Sequence, residues 1–335
     1  MPYRKATTAT ISKAMEDTRG GKGDLKVGTT PACTHYYAPY FESLVPFYPS
    51  LSPPSGNDWL KEHEESGQGL LNFNRMCLKA VPHGAFNTIL LVPIGESTFL
   101  DPRIIQYVEA FFMLKAQVTA PVSLSKASSV HKVTMATRQS EYGTQLLCGD
   151  CFDLIQKIRL SDRENARKVV ATVGVTTEYD LTPGEGWNFV FGQARMDESC
   201  GVFSLVRYGN PSSNMNDYLR RCCKVLTHEI GHIFGLKHCI YYHCLMNGSN
   251  HLEELDRNGM LLCPVCTKKL MDSFQWDARV RLHCLLNALS TFDGGCFAAE
   301  MAFLHSVDLP MLDAHEAKFG PPARGTVGRK YLLNC

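Results

Sequence analysis

Residues 227–238 read T-H-E-I-G-H-I-F-G-L-K-H. His228 and His232 are four residues apart, so on a helix they project one turn apart from one face and can reach a single cation. The helix they need is written around them. From Asn216-Asp217 onward, Leu219, Cys223, Leu226, Ile230 and Ile233 recur at helical spacing and form an apolar stripe on a different face. Gly235 is where such a helix can stop, because glycine accepts the left-handed backbone that turns the chain sharply. That turn brings His238 round as a third ligand. Three neutral ring nitrogens leave one tetrahedral position for water, the feature that separates a catalytic zinc from a structural one. Glu229, beside the first histidine, is then placed to take the water's proton as a general base. H-E-x-x-H alone would arise by chance in about one in fifty such chains, and the added glycine and third histidine take that to about one in ten thousand.

The next signal along the chain is sulfur. Cys239 follows the third histidine directly, Cys244 stands at C-x4-C spacing from it, and Cys263 and Cys266 form C-P-V-C. Two such pairs across a short loop are what a closed four-thiolate zinc site requires. His243 lies inside the first pair and could replace a sulfur, but the reading keeps the four cysteines. Met246, in CLMNGS, could form an apolar floor beneath the metal or be an ordinary core methionine. Cys148-Gly-Asp-Cys151 has no second pair nearby and reads as helix packing. The scattered cysteines read mostly as reduced, buried thiols, since disulfide-dense proteins are usually small and secreted.

Upstream, Thr88 to Ile94 (TILLVPI) is a wholly apolar run of the kind buried on both faces of a sheet. Asp101-Pro102 opens a helix to about Lys115, with Asp as the cap and Pro at the first helical position. Gln117 to Leu124 reads as a strand, Thr144 to Ile158 as an amphipathic helix, and Lys168 to Thr176 as a β-branched strand. Past the turn signal LTPGEG, Trp187 to Met196 and Gly201 to Gly209 read as two more strands. The alternation predicts an α/β fold with a mixed sheet and helices on it. Residues 1–80, rich in Gly, Pro and aromatics, read as an irregular N-terminal extension, either packed as an extended segment or a weakly ordered linker. Downstream, residues 239–270 show little periodicity, a helix is expected around Asp277 to Leu289, an apolar segment near Phe297 to Leu309, and a C-terminal tail over 311–335 whose last stretch, PPARGTVGRKYLLNC, reads as loosely held.

Composition bounds the partners. A net charge of +1 over 335 residues gives no basic excess for nucleic acid. No run approaches the roughly 18 apolar residues of a membrane span, and the N-terminus lacks the apolar segment of a secretory signal. The reading is an intracellular monomer, cytoplasmic or nuclear, that takes a peptide or protein substrate.

The pattern H-E-x-x-H-x-x-G-x-x-H-C-x4-C-x-M followed by C-x-x-C resembles the archaemetzincin signature within the metzincin clan of zinc metallopeptidases. Here 16 residues separate Met246 from Cys263, one fewer than in the archaeal pattern. NHLEELDR and WNFVFGQA also look like animal members. The specific resemblance covers about residues 187–270, with a weaker strand-pattern match from residue 88. It implies a metzincin-like catalytic domain over 81–310. An upper subdomain (about 81–235) would hold the sheet and the active-site helix. A lower one (about 236–310) would be irregular, zinc-stapled and helical. It implies two zinc ions per chain: one on His228, His232 and His238, and one on Cys239, Cys244, Cys263 and Cys266. Met246 becomes the Met-turn residue, and an edge strand, for which Trp187 to Met196 is the candidate, pairs with an extended substrate.

Peptide-bond hydrolysis with Glu229 as base is therefore the leading function. A peptide-binding protein on a peptidase scaffold, with weak catalysis, is the alternative, and Glu229 argues against it because binding alone needs no base. A zinc-ribbon module using only the cysteines leaves the histidines and Glu229 unexplained.

Overall fold

A computed structural model describes residues 8–15, 32–77, 79–209 and 211–320. By backbone contacts the chain divides into two compact units. One is built from residues 79–234 with 291–296, the other from the described residues up to 77 with 235–290 and 297–320.

The first unit holds a five-stranded sheet. The strands of the unit are β1 (Thr88–Pro93), β2 (Lys115–Val118), β3 (Thr137–Ser140), β4 (Gly143–Leu147), β5 (Val169–Thr176), β6 (Asp180–Thr182), β7 (Gly192–Arg195) and β8 (Cys200–Ser204). The large sheet runs β2-β1-β5-β8-β7. Every pair in it is parallel except the β7/β8 hairpin. β1, β5 and β8 are buried throughout, as the apolar run Thr88 to Ile94 predicts for β1. A small sheet, β3-β4-β6, stands beside it.

Two glycines show how closely helices cover the large sheet. A Cβ on Gly174 would lie 3.1 Å from Ile155, and one on Gly201 would lie 3.2 Å from Ile233. Ile155 and Ile233 belong to two different helices of this unit, Cys148–Ser161 and Met215–Ile233. The helix over Pro102–Phe112 is capped as expected, with the Asp101 side chain accepting from Arg103 N.

The second unit is helical. In chain order the α-helices of the described residues are α1 (Thr8–Met15), α2 (Ala32–Leu44), α3 (Trp59–Glu62), α4 (Leu70–Asn74), α5 (Pro102–Phe112), α6 (Leu124–Ser129), α7 (Cys148–Ser161), α8 (Arg163–Ala166), α9 (Met215–Ile233), α10 (Leu252–Arg257), α11 (Pro264–Phe274), α12 (Ala278–Ser290), α13 (Ala298–Phe303) and α14 (Leu309–Phe319). α11 packs on α1, α2 and α4, and α14 packs on α2 and α12.

Several local expectations need correction. The second strand begins at Lys115, not Gln117, and ends at Val118. Residues 144–147 belong to β4, and the helix read from Thr144 starts at Cys148. The strand read over Trp187 to Met196 is ordered as a strand only at Gly192–Arg195, because Thr182, Arg138 and Gln145 take the Trp187 and Asn188 carbonyls out of any ladder. The stretch HYYAPYFESL is helical. Tyr37, Tyr40, Phe41 and Leu44 are all buried at i, i+3, i+4 and i+7, and that stripe prevails over Pro39 inside the helix. The unpatterned stretch 239–270 contains α10 and the start of α11. The tail from residue 321 and most of the N-terminal arm lie outside the described residues. Among the described residues no helix is long and apolar enough to cross a membrane.

Candidate active site

α9 carries the first two histidines, and its construction explains their direction. Asn214 caps it by accepting from Asp217 N, and Leu219, Cys223, Leu226, Ile230 and Ile233 are buried. His228 and His232 are therefore left half-buried on another face. Their Nε2 atoms are 3.0 Å apart, with the rings edge to face at 85°. Two nitrogens at about 2.05 Å from one tetrahedral zinc stand about 3.3 Å apart, so this spacing suits a shared cation. α9 ends at Ile233, and Gly235, at φ 92°, turns the chain. Within this short segment each of His228, His232 and His238 offers a ring nitrogen, all within 4.8 Å of one another. The donor set fits zinc.

Glu229 keeps part of its surface open, yet protein packed around the carboxyl strips it of water, and burial pushes its pKa up to about 8. Such a group releases and accepts a proton near neutrality.

The four cysteine sulfurs also converge within 4.8 Å, and all four residues are buried. Cys239 Sγ and Cys263 Sγ are 3.7 Å apart. Burial raises the Cys244 and Cys263 thiols. It also opposes charge on Cys239, but hydrogen bonds from Cys244, Cys263 and Cys266, with the Lys269 charge, hold that thiol well below its ordinary value. The N–H groups of Met246 and Cys263 point at Cys244 Sγ, at 3.4 and 3.3 Å, and favour a thiolate there. Four buried sulfurs converging this closely fit a divalent cation. His243 does not join it; its Nε2 meets Ser52 Oγ at 3.3 Å. Met246 is fully buried, and its carbonyl accepts from Cys239 N at 2.7 Å, which ties the methionine to the residue after His238.

Among the other cysteines, Cys148 and Cys151 are buried in α7 with thiols raised by burial, in keeping with packing. Cys77, Cys200, Cys222, Cys223 and Cys296 are reduced thiols, in line with the mostly reduced expectation, whereas Cys284 is disulfide-bonded.

Sequence reasoning missed three residues near these sites. Asn247, buried, accepts from Cys244 N and donates to the Cys239 and Tyr242 carbonyls, which closes the loop between the first cysteine pair. The N-G-S turn signal after Met246 was the only hint of it. Glu65 and Gln68 meet the segment after Gly235 from far upstream, at 2.7 Å to His238 Nδ1 and 2.9 Å to the Gly235 carbonyl. Nothing local in sequence marks them. A third convergent set, Asp58, His251 and Glu254, is already consumed by hydrogen bonding. Glu254 accepts from Trp59 N and Asn250 N, Asp58 from Ser55 N and Arg257, and His251 caps α10.

The chain is similar to known sequences. A sequence model of Peptidase family M54 matches residues 113–272. Archaemetzincin-2 of Homo sapiens is 32% identical over 267 residues, covering 69% of this chain and 71% of that protein. The chain belongs to the archaemetzincin family. Archaemetzincin-2 of Rattus norvegicus is 33% identical over 269 residues, covering 69% and 72%. The crystal structure of the archaemetzincin of Methanopyrus kandleri is 29% identical, covers 58% of this chain and 98% of that one, and superposes with a TM-score of 0.41. Archaemetzincin membership makes this chain a zinc metallopeptidase, and the histidine and cysteine sets are its candidate zinc sites.

Proposed function

We propose that this metallopeptidase hydrolyses peptide bonds with a catalytic zinc on His228, His232 and His238 and with Glu229 as general base. The observation that carries the reading is the convergence of the three histidine nitrogens within 4.8 Å, with Glu229 next to the first of them on α9. When bound, zinc supplies Lewis acidity, polarising the scissile carbonyl and making water easier to deprotonate. The Glu229 carboxylate accepts a proton from the attacking water as its oxygen bonds to the carbonyl carbon. It returns that proton to the amine nitrogen as the C–N bond breaks.

Met246 serves as the Met-turn residue, its backbone bond to Cys239 supporting the turn that carries His238. A second zinc on Cys239, Cys244, Cys263 and Cys266 is structural, since four sulfurs complete its coordination and leave no position for substrate.

β7 is the strand to which an extended substrate adds. It ends the sheet order, and Phe191 O accepts from Ser204 N. By the antiparallel alternation, Gly192 and Ala194 then turn their N–H and C=O away from β8, available to another chain.

Digestion of a peptide library by the zinc-loaded protein, with and without chelator, tests the function. Cleavage that chelation abolishes and zinc restores supports it. Peptide binding without cleavage by the loaded protein would overturn it in favour of a binding protein.

A further inference from the structure

We propose that the segment from Trp59 to Gln68 fixes the position and tautomer of His238, with Glu65 as the positioning carboxylate. The inference rests on the reading of His238 as a metal ligand and adds to it a part of the chain outside the matched residues 113–272.

The contact is specific. Glu65 Oε1 lies 2.7 Å from His238 Nδ1, and both side chains are largely shielded, at 23% and 17% exposed. A carboxylate can only accept, so Nδ1 carries the proton and donates it. In the neutral ring this leaves Nε2 with a lone pair and no hydrogen, the form in which imidazole binds a metal. A carboxylate in this place also strengthens the ring's electron donation and stops its rotation.

Glu65 is itself held. Its Oε1 accepts from Trp59 Nε1 at 3.0 Å. The Trp59 indole stands edge to face with the His238 ring, centroids 4.8 Å apart, and stacks on His63 at 4.0 Å. A Cβ on Gly248 would come within 2.5 Å of the same indole, so the Met246–Gly248 turn accepts the ring only because residue 248 is glycine. The carboxylate thus meets the histidine from a framed position.

Gln68 holds the backbone of the turn that delivers His238. Its Nε2 donates to the Gly235 carbonyl at 2.9 Å, and its Oε1 accepts from Lys237 N and Lys269 Nζ, both at 3.2 Å. Polar groups beyond a helix end need such partners when buried, and Gln68 is only 2% exposed. Gly67 makes the approach possible. It sits at φ 72°, and a Cβ there would come within 2.8 Å of the Tyr241 hydroxyl. One short stretch therefore ties down both the backbone and the ring of the third ligand.

The test is metal affinity in the full-length protein, measured by chelator competition, with the visible spectrum of the Co2+-loaded form. Thiolate-to-cobalt absorption reports the cysteine set separately from the histidine set. Glu65→Ala should weaken the histidine site by about 10- to 100-fold and shift its cobalt bands, with the thiolate absorption unchanged. Glu65→Gln, which keeps an acceptor without the charge, should fall between wild type and Glu65→Ala. Wild-type affinity and spectrum in Glu65→Ala would overturn the proposal. Parallel loss of both metals in the near-isosteric Glu65→Gln would overturn it too, by making the contact a matter of folding alone. His238→Ala separates the two levels. If it loses the histidine-site metal while Glu65→Ala keeps it, only the positioning role fails. If it leaves that metal bound, His238 is no ligand and both readings fall.

Discussion

Cys239 Sγ and Cys263 Sγ stand 3.7 Å apart, and two sulfurs at about 2.3 Å from one tetrahedral zinc stand about 3.8 Å apart. Cys239 is also the residue after His238, so a metal gripping this sulfur anchors the chain where the third histidine is delivered. Protein purified without chelators should contain two zinc ions per chain by elemental analysis. In Cys263→Ser, Cys266→Ser one zinc should be lost, residues 239–270 should become protease-sensitive, and most activity should disappear. Structural zinc contributes about 10–16 kcal/mol of apparent binding energy in small zinc domains, comparable to a whole domain's stability of about 5–15 kcal/mol. A double variant with full activity and full protease resistance would exclude a structural zinc there.

The three histidines of the proposed catalytic site should behave differently from the cysteines. His232→Ala should lose one zinc together with peptide hydrolysis and keep the other, because the cysteine set draws no ligand from α9. Loss of both metals would mean that the two sites are not independent.

Asp180 and Arg207 form a buried bidentate pair, with Nε and Nη2 at 2.8 and 2.7 Å from the two carboxylate oxygens. Burial raises the Asp180 pKa, but the hydrogen bonds and charge of Arg207 prevail and hold it below the ordinary carboxylate range. The pair's stabilisation is therefore complete above the unfolded-chain value of about 3.9 and fades as pH falls through the lower folded value. Arg207→Met leaves a buried, uncompensated carboxylate and should cost roughly 3–5 kcal/mol in urea unfolding at pH 7. The difference from wild type should narrow toward pH 4, as Asp180 takes up a proton in the variant. A difference that does not change with pH would remove Asp180 from the account.

The outer edge of β7 offers a test of substrate pairing. Ala194→Pro deletes one N–H that points away from β8 and should leave the β7/β8 ladder paired. KM for an extended peptide should rise by about tenfold, with kcat changed less. An unchanged KM would show that substrate does not add to this strand at Ala194.

The active-site helix was legible because two periodicities coincide in it. The apolar stripe from Leu219 to Ile233 and the histidine pair use different faces of one helix, and each supports the other. β1 was legible as an apolar run and β5 as a β-branched one, and both strands are buried throughout. The edges were not. β2 is mostly exposed, so its residues follow no burial pattern, and Leu124 belongs to the helix that follows it. α2 was hidden by Pro39 within an aromatic stripe. Glu65, Gln68 and Asn247 were invisible for a different reason. Each acts through a side-chain hydrogen bond whose partner is set by the fold, and a lone glutamate, glutamine or asparagine carries no pattern that announces it.

In the proposed mechanism Glu229 moves the proton and does not hold the metal. Zinc content and peptide hydrolysis measured on one preparation of Glu229→Ala test this division of roles. Zinc should match wild type, because the three histidines are intact, while hydrolysis should fall by about 100-fold or more. Full zinc with undiminished hydrolysis would contradict it.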